Sequence, residues 1–343
     1  VTASSSCGGD SREAVTAQAQ NTAARTLDQK RFRQVLLSIP RYAREVTGVR
    51  TPRELYHWFY FKLPYAFPLL DFPSRLNLEP TNDCNLGCRH CPRTLSVTHQ
   101  GLGYMNPDLF EKITSEVALH PSCMVKIVGL GEPALHPQLG ELMDLITRRK
   151  IIAYLYTNGE LFRRFSPEQI TNWNVRNLTV SIDGLDPESF ARIRVGGDYL
   201  AIKRALTEFH RVRTKLGRRG PEIEIRHVIF PNENPSDLLR FREEWLAISD
   251  IVKFNYLYYP APPVSEVRDT KCRDIRRELY VHWNGSVPLC GYQYLSNTAE
   301  SLGDIRNASI AELWNHPRLR QVREYHQKQS LDAVPFCKAC TFK

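Results

Sequence analysis

The sequence predicts an α/β protein: a partial parallel barrel of six strand–helix units, followed by a small α+β module built around cysteines. Three observations carry this. Strand-like and helix-like runs alternate from Arg75 to about Tyr259, the pattern of a parallel sheet with helices outside. A proline-rich stretch, Pro260 to Pro263, then breaks the alternation and reads as a linker. Seven of the nine cysteines fall in two groups, one inside the alternating region and one beyond the linker.

Taken in order, residues 1 to about 25 are small and polar, and they predict a disordered tail. Thr26 to Phe61 has a helical pattern interrupted at Pro40 and Pro52, with no strand signal. The six expected strands are Arg75–Glu79, Met124–Gly129, Ile151–Thr157, Asn177–Asp183, Glu222–Phe230 and Ile251–Tyr258. Helical patterns lie between them at Pro107–Leu119, Gln138–Arg148, Tyr199–Leu216 and Pro235–Ile248. Beyond the linker, Tyr280–Cys290 reads as a hairpin turning at Asn284-Gly285. An amphipathic helix is expected near Ile310–Tyr325. The implied domains are 1–74, a tail and helical extension; 75–260, the barrel; and 261–343, the cysteine module.

Composition narrows the class. With 42% hydrophobic and 24% charged residues, the chain can bury an ordinary core, which excludes a disordered protein. The greasiest run, Phe59–Phe72, is interrupted by Lys62, Pro64, Pro68 and Asp71, short of the ~18 apolar residues a span needs. The first residues lack an apolar core and Cys7 follows no hydrophobic segment, so the expected location is cytoplasmic, with no membrane attachment. In that reducing setting, clustered cysteines point to metal rather than disulfides. A net charge of +9 favours anionic partners. These include an acidic electron donor such as a flavodoxin or ferredoxin, or an acidic substrate. Nucleic acid is disfavoured, because the basic run Arg211, Arg213, Lys215, Arg218, Arg219 sits at one helix end and reads as a solvated face.

The first cysteine group follows the first strand: Glu79-Pro-Thr-Asn-Asp-Cys84-Asn-Leu-Gly-Cys88-Arg-His-Cys91. Three thiolates spaced C-x3-C-x2-C can hold three irons of a cubane and leave the fourth open. A structural zinc site would ask for a fourth ligand close by, which His90 is poorly spaced to supply. The motif resembles that of the radical S-adenosylmethionine (SAM) enzymes, and further family motifs follow in order. Gly129-Leu-Gly131-Glu132-Pro133, after strand two, is similar to the family's Gly-Gly-Glu-Pro, with Leu130 replacing one glycine. Thr157-Asn158-Gly159 ends strand three and Ser181-Ile-Asp183-Gly184 ends strand four. The resemblance implies a [4Fe-4S] cluster on Cys84, Cys88 and Cys91 that binds SAM. It implies SAM contacts from Gly131, Glu132, Pro133, Asn158, Ser181 and Asp183, with His90 near the adenine and either Arg192 or Arg194 at the SAM carboxylate. It also implies the chemistry: one electron cleaves SAM, and the resulting 5′-deoxyadenosyl radical takes hydrogen from an unactivated carbon.

The second group is Cys272, Cys290, Cys337 and Cys340, spaced C-x12-G-x4-C…C-x2-C. Four thiolates suit one fully ligated cluster or a structural zinc. The spacing resembles the short "twitch" form of the SPASM module and so implies one auxiliary [4Fe-4S] cluster. Strand alternation turns Asn77, Glu79, Thr179, Ser181, Asp183, Glu224, Arg226, Lys253 and Asn255 inward, a polar cavity for a small hydroxylated molecule or else a set of internal ion pairs. Glu79, Glu224 and Arg226 are the candidate catalytic residues, Arg226 to steer a substrate hydroxyl and Glu224 to take its proton. The one-auxiliary-cluster plan resembles aminocyclitol dehydrogenases of antibiotic pathways. It implies an oxidoreductase that turns an alcohol of an aminocyclitol, sugar or nucleoside into a ketone. The alternatives are a sugar dehydratase or epimerase, a peptide maturase and, further off, a zinc-stapled nucleic-acid-binding protein. Epimerisation is disfavoured because Cys123, the spare cysteine of the barrel, precedes strand two at the wrong end.

Overall fold

A computed structural model describes residues 64–95, 101–217, 220–231, 233–256, 271–292, 300–338 and 340. The expected N-terminal tail and helix, Cys7, the Pro260–Pro263 linker, the end of the sixth strand, and Arg218 and Arg219 lie outside them. Residues Pro68–Lys343 form one compact unit.

Six parallel strands stand where the alternation predicts them. They are β1 (Arg75–Leu78), β2 (Met124–Ile127), β3 (Ala153–Thr157), β4 (Val175–Ser181), β5 (Glu222–Ile229) and β6 (Ile251–Tyr256). The principal helices between them are α1 (Pro107–Ala118), α2 (Leu139–Arg148), α3 (Tyr199–Lys215) and α4 (Pro235–Leu246). Caps set their starts: Asn106 accepts from the Asp108 N–H, Asp198 from Ala201 and Asn234 from Asp237. Leu76, Leu78, Val125, Ile127, Leu155, Leu178, Val180, Ile223 and Ile225 occupy alternate positions and are fully buried on the helix side of the sheet. They meet Phe110 and Ile113 of α1, Leu139 and Met143 of α2, and Leu206 and Phe209 of α3, which recur at helical spacing. Each such side chain contributes about 1.5–3 kcal/mol by leaving water.

A seventh strand goes beyond the six expected. β7 (Glu278–Val281) comes from the cysteine module and pairs parallel with β1, Arg75 opposite Glu278 and Leu78 opposite Val281. The sheet order is β6-β5-β4-β3-β2-β1-β7, an open arc rather than a closed barrel. The Asn284-Gly285 turn does form, with the His282 N–H donating to Ser286 O at 3.0 Å and Gly285 at φ +86°. The strand after it, β8 (Ser286–Pro288), instead pairs antiparallel with β9 (Ser301–Asp304). Burial explains the difference: Leu279 and Val281 reach the core only if β7 joins the large sheet. The expected helix near 310–325 is two helices, α5 (Ile310–Trp314) and α6 (Pro317–Lys328), because Pro317 disfavours helical backbone at the residue before it. Buried Arg323 ties them, donating from Nε to Ile275 O and from Nη1 to Trp314 O, each at 2.7 Å. No helix among the described residues is long and apolar enough to cross a membrane.

Candidate active site

The C-terminal ends of β1 to β4 bring the first cysteine group together with the expected SAM residues. The loop after β1 is fixed by side-chain bonds. The Asp83 N–H donates to Thr81 Oγ1 at 3.0 Å, the Cys84 N–H to Asp83 Oδ1 at 2.8 Å, and Arg93 Nε to Asn82 O at 2.9 Å. Gly87 and Arg89 donate N–H bonds to Val195 O and Ile193 O, each at 2.9 Å, pinning the loop to the segment after β4. Burial pushes the Cys88 thiol up to about 11, and Cys91 and Cys84 add to the rise; Cys84 is raised as well, first by burial. The three thiols thus stand near enough to feel one another's charge.

Glu132 is buried beside them. Its Oε1 accepts from Thr157 Oγ1 at 2.8 Å and the Ala134 N–H at 3.0 Å, and its Oε2 from the Asn158 N–H at 2.6 Å. Burial outweighs those bonds and lifts the carboxyl to about 7. The preceding Gly131 admits no side chain, since a Cβ there would stand 2.3 Å from Thr81 O and 2.4 Å from Asp83 O. The Glu132 N–H closes the same contact, donating to Asp83 O at 2.7 Å. Pro133 opens a short helical turn after Glu132. Leu130 stands where the family pattern has glycine, and its N–H donates to Glu79 Oε1 at 2.8 Å. Asn158 Nδ2 reaches Asn85 Oδ1 at 2.9 Å and Cys84 Sγ at 3.7 Å.

Asp183 is the second buried acid. Its Oδ2 accepts from Arg194 Nε at 2.8 Å and lies 2.7 Å from Nη2 and 3.2 Å from His90 Nε2, while Oδ1 accepts from the Val228 N–H at 2.8 Å. Burial alone would raise it, but Arg194 and His90 prevail and hold it far below the usual carboxylate range. The geometry therefore separates the two arginines. Arg194 is in this group, whereas Arg192 is 60% exposed and paired with Glu188. Ser181 is half-buried at the end of β4, in register with Arg226.

On the inward face the charged residues expected there, Glu79, Glu224, Arg226 and Lys253, are paired. Glu224 is buried between Arg226 and Lys253, which lower its carboxyl despite the upward push of burial. The ion-pair alternative thus holds for these three, and Glu224 is a poor proton acceptor. Glu79 Oε2 lies 2.9 Å from Nδ1 of His282, just past the end of β7. Sequence reasoning misses His282, Lys126 and Tyr156. Alternation around Val125 and Ile127, and around Ala153, Leu155 and Thr157, could have found the last two. Finding His282 requires knowing that β7 neighbours β1.

Cys272, Cys290, Cys337 and Cys340 line one cavity, walled by Ile275, Leu289, Val322 and Phe336. The Tyr292 N–H donates to Cys290 Sγ at 3.4 Å, and the Cys272 N–H to His326 Nδ1 at 3.2 Å. Burial pushes Cys272 up to about 12 and Cys290 well above its usual value. Among the described residues, no three His, Cys, Asp or Glu converge tightly enough for a single ion. Thiols set around a space fit a cluster, in which each iron takes its own thiolate.

The radical SAM superfamily model matches residues 78–244, and the SPASM model, an iron–sulfur cluster-binding domain, matches 272–341. One relative is a tungsten-containing aldehyde ferredoxin oxidoreductase cofactor-modifying protein of Pyrococcus furiosus. It is 23% identical over 321 residues, covering 78% of this chain and 87% of the relative. Among solved structures, Streptococcus suis SuiB bound to precursor peptide SuiA has a TM-score of 0.58 at 14% identity, over 80% of this chain and 72% of that one. BtrN in complex with AdoMet and 2-DOIA has a TM-score of 0.52 at 14% identity, over 78% of this chain and 92% of that one. The chain carries a radical SAM domain and a C-terminal SPASM-type module, and works with SAM, the [4Fe-4S] cluster that binds it and an auxiliary cluster.

Proposed function

We propose that this protein is an oxidoreductase that oxidises an alcohol of a small hydroxylated molecule, such as a sugar, cyclitol or nucleoside, to a ketone in natural-product biosynthesis. The observation that carries the reading is the Glu79–His282 pair at the cluster end of the sheet, 2.9 Å apart. In this reading Cys84, Cys88 and Cys91 hold the SAM-binding cluster, and Cys272, Cys290, Cys337 and Cys340 hold the auxiliary one. Bound there, these groups supply a hydrogen-atom acceptor and a one-electron acceptor.

The chain's own residues do the rest. Glu132 takes the SAM ammonium through a charge-assisted bond. Arg194, aligned by Asp183, takes the SAM carboxylate, and the backbone at Gly131, Pro133 and Asn158 shapes the amino-acid end. His90 and Ser181 flank the adenosine. Glu79 accepts a bond from Nδ1–H of His282, which leaves Nε2 as the basic nitrogen, the logic by which a carboxylate orients an imidazole for proton transfer. His282 then takes the substrate hydroxyl proton. Glu224 holds Arg226 in place to orient that hydroxyl. The basic surface suits an acidic electron donor such as a flavodoxin.

The test is product mass with anaerobic, cluster-loaded enzyme and a panel of hydroxylated compounds. A product lighter by two hydrogens supports the reading. An isomer, or a product lighter by one water, replaces it with epimerisation or dehydration. A second reading, peptide modification, takes support from the likeness to peptide-bound SuiB. It predicts turnover of a peptide and none of the polyols.

A further inference from the structure

The inward face holds more positive charge than it neutralises. Arg75 is matched by Glu278 at 2.6 Å, and Glu79 lies against His282. Arg226 and Lys253, however, share the single carboxylate of Glu224. Lys126 has no hydrogen-bond or ion-pair partner among the described residues; its Nζ sits over the Tyr156 ring, 4.8 Å from the centroid. The Arg226 guanidinium lies 5.1 Å from the same centroid, with Nη1 3.4 Å from the Tyr156 hydroxyl. Two cations thus converge on one phenol ring, and Arg226 Nε is buried with no acceptor. Burial pushes the Tyr156 phenol up, yet Lys126, Arg226 and Arg75 outweigh it and the net shift is downward.

Opposite Lys126 in the register, Asn77 Oδ1 is buried without a donor, while its Nδ2 is held by Glu278 Oε2 at 2.9 Å. Asn77 Oδ1 and Arg226 Nε both lack a partner in a protein whose buried polar groups are mostly bonded, and a polar ligand entering beside them would relieve this. The surroundings are open enough to admit it. On β2 and β3 the helix-side residues are buried, whereas Lys126, Tyr154 and Tyr156 on the inward face are half-exposed. What arrives must accept bonds from cations and donate one to an amide oxygen.

We propose that Lys126, Tyr156 and Arg226 form an oxyanion subsite on the inward face of the sheet, and that the substrate is an acidic polyol, a hydroxylated carboxylate or phosphate, rather than an amino sugar. The inference rests on the proposed reading of that face as the substrate cavity. The oxyanion bridges Lys126 Nζ and Arg226, and a hydroxyl donates to Asn77 Oδ1.

The test is ligand-observed NMR on the cluster-loaded enzyme with SAM bound and no reductant, at low ionic strength. Four probes are compared: glycolate, inorganic phosphate, ethanolamine and ethylene glycol. Glycolate or phosphate should bind about tenfold or more tightly than the other two, and whichever of them is preferred identifies the acidic group. Lys126→Met should weaken oxyanion binding by about tenfold or more, and Lys126→Arg should restore most of it. Ethanolamine binding as well as glycolate, unchanged binding in Lys126→Met, or no binding of any probe overturns the proposal. Should Lys126→Met fail to fold, the glycolate–ethanolamine comparison in the unsubstituted enzyme decides alone. SAM cleavage after adding reductant to the same sample reports on the radical chemistry separately, so the subsite can fail while that chemistry stands.

Discussion

Replacing Glu132 by Gln should weaken SAM binding and remove its pH dependence. Without SAM, burial holds the Glu132 carboxyl at about 7. Near pH 6 about a tenth of the enzyme therefore carries the carboxylate, and near pH 8 about nine-tenths does. If the ammonium of SAM selects the ionised form, affinity should rise about tenfold over that interval, ~1.4 kcal/mol. Losing the charge-assisted contact costs a further ~1.5–3 kcal/mol. The variant should thus bind at least tenfold more weakly at pH 8 with a flat profile. Stability moves oppositely. The folded value lies above the 4.5 of an ordinary glutamate, so the native state binds the extra proton between about 4.5 and 7. The contribution of this group is most favourable below that window and is lost as pH rises through 7, by up to ~3 kcal/mol. The glutamine variant would carry no such loss, although its amide cannot accept from all of Thr157, Ala134 and Asn158. Anaerobic calorimetric titration at three pH values measures the first effect and denaturant unfolding the second. A SAM affinity independent of pH in the unsubstituted enzyme, with its cluster intact, would refute the role given to this carboxylate.

Two further substitutions test the cluster loop. Cys88→Ala should abolish 5′-deoxyadenosine formation while the circular dichroism spectrum stays unchanged, because the loop lies beyond the sheet; normal cleavage would remove the ligand assignment. Gly131→Ala places a methyl 2.3 Å from Thr81 O and 2.4 Å from Asp83 O, backbone that cannot yield without moving the cysteines. It should lower the melting temperature and the iron bound per chain, and full iron with native stability would show the loop to be more compliant than its contacts imply.

The strands were legible because their helix-side residues are apolar at period two and their ends carry turn chemistry. The site was legible where one short segment holds several of its groups, as at Cys84–Cys91 or Gly129–Pro133. It was not legible where pairing decides. Whether Arg192 or Arg194 reaches Asp183 depends on the helical turn Pro187–Ile193, which sends one inward and the other to solvent. His282 reads as a residue of a local hairpin until β7 is set beside β1. The choice between an inward polar residue as catalyst and as ion-pair partner is equally non-local, since Glu224 is neutralised from β5 and β6 together.

The placement of β7 also bears on why a hydrogen-abstracting enzyme should carry a second cluster site. Cys272 precedes β7 and Cys290 follows it, so the strand that delivers Glu278, Tyr280 and His282 to the inward face is bracketed by two thiols of the four-cysteine cavity. A purely structural staple would hold β7 against β1, and removing it would disturb the Glu79–His282 contact and all turnover with it. A redox role predicts a narrower loss. In the Cys290→Ala, Cys337→Ala variant with SAM, reductant and substrate, hydrogen should still leave the substrate, traced as deuterium in 5′-deoxyadenosine. The ketone should fail to accumulate. Loss of both signals, with lowered thermal stability, means that the quartet serves the fold. Full ketone yield means that it serves neither, and the oxidative reading would then lose its electron acceptor.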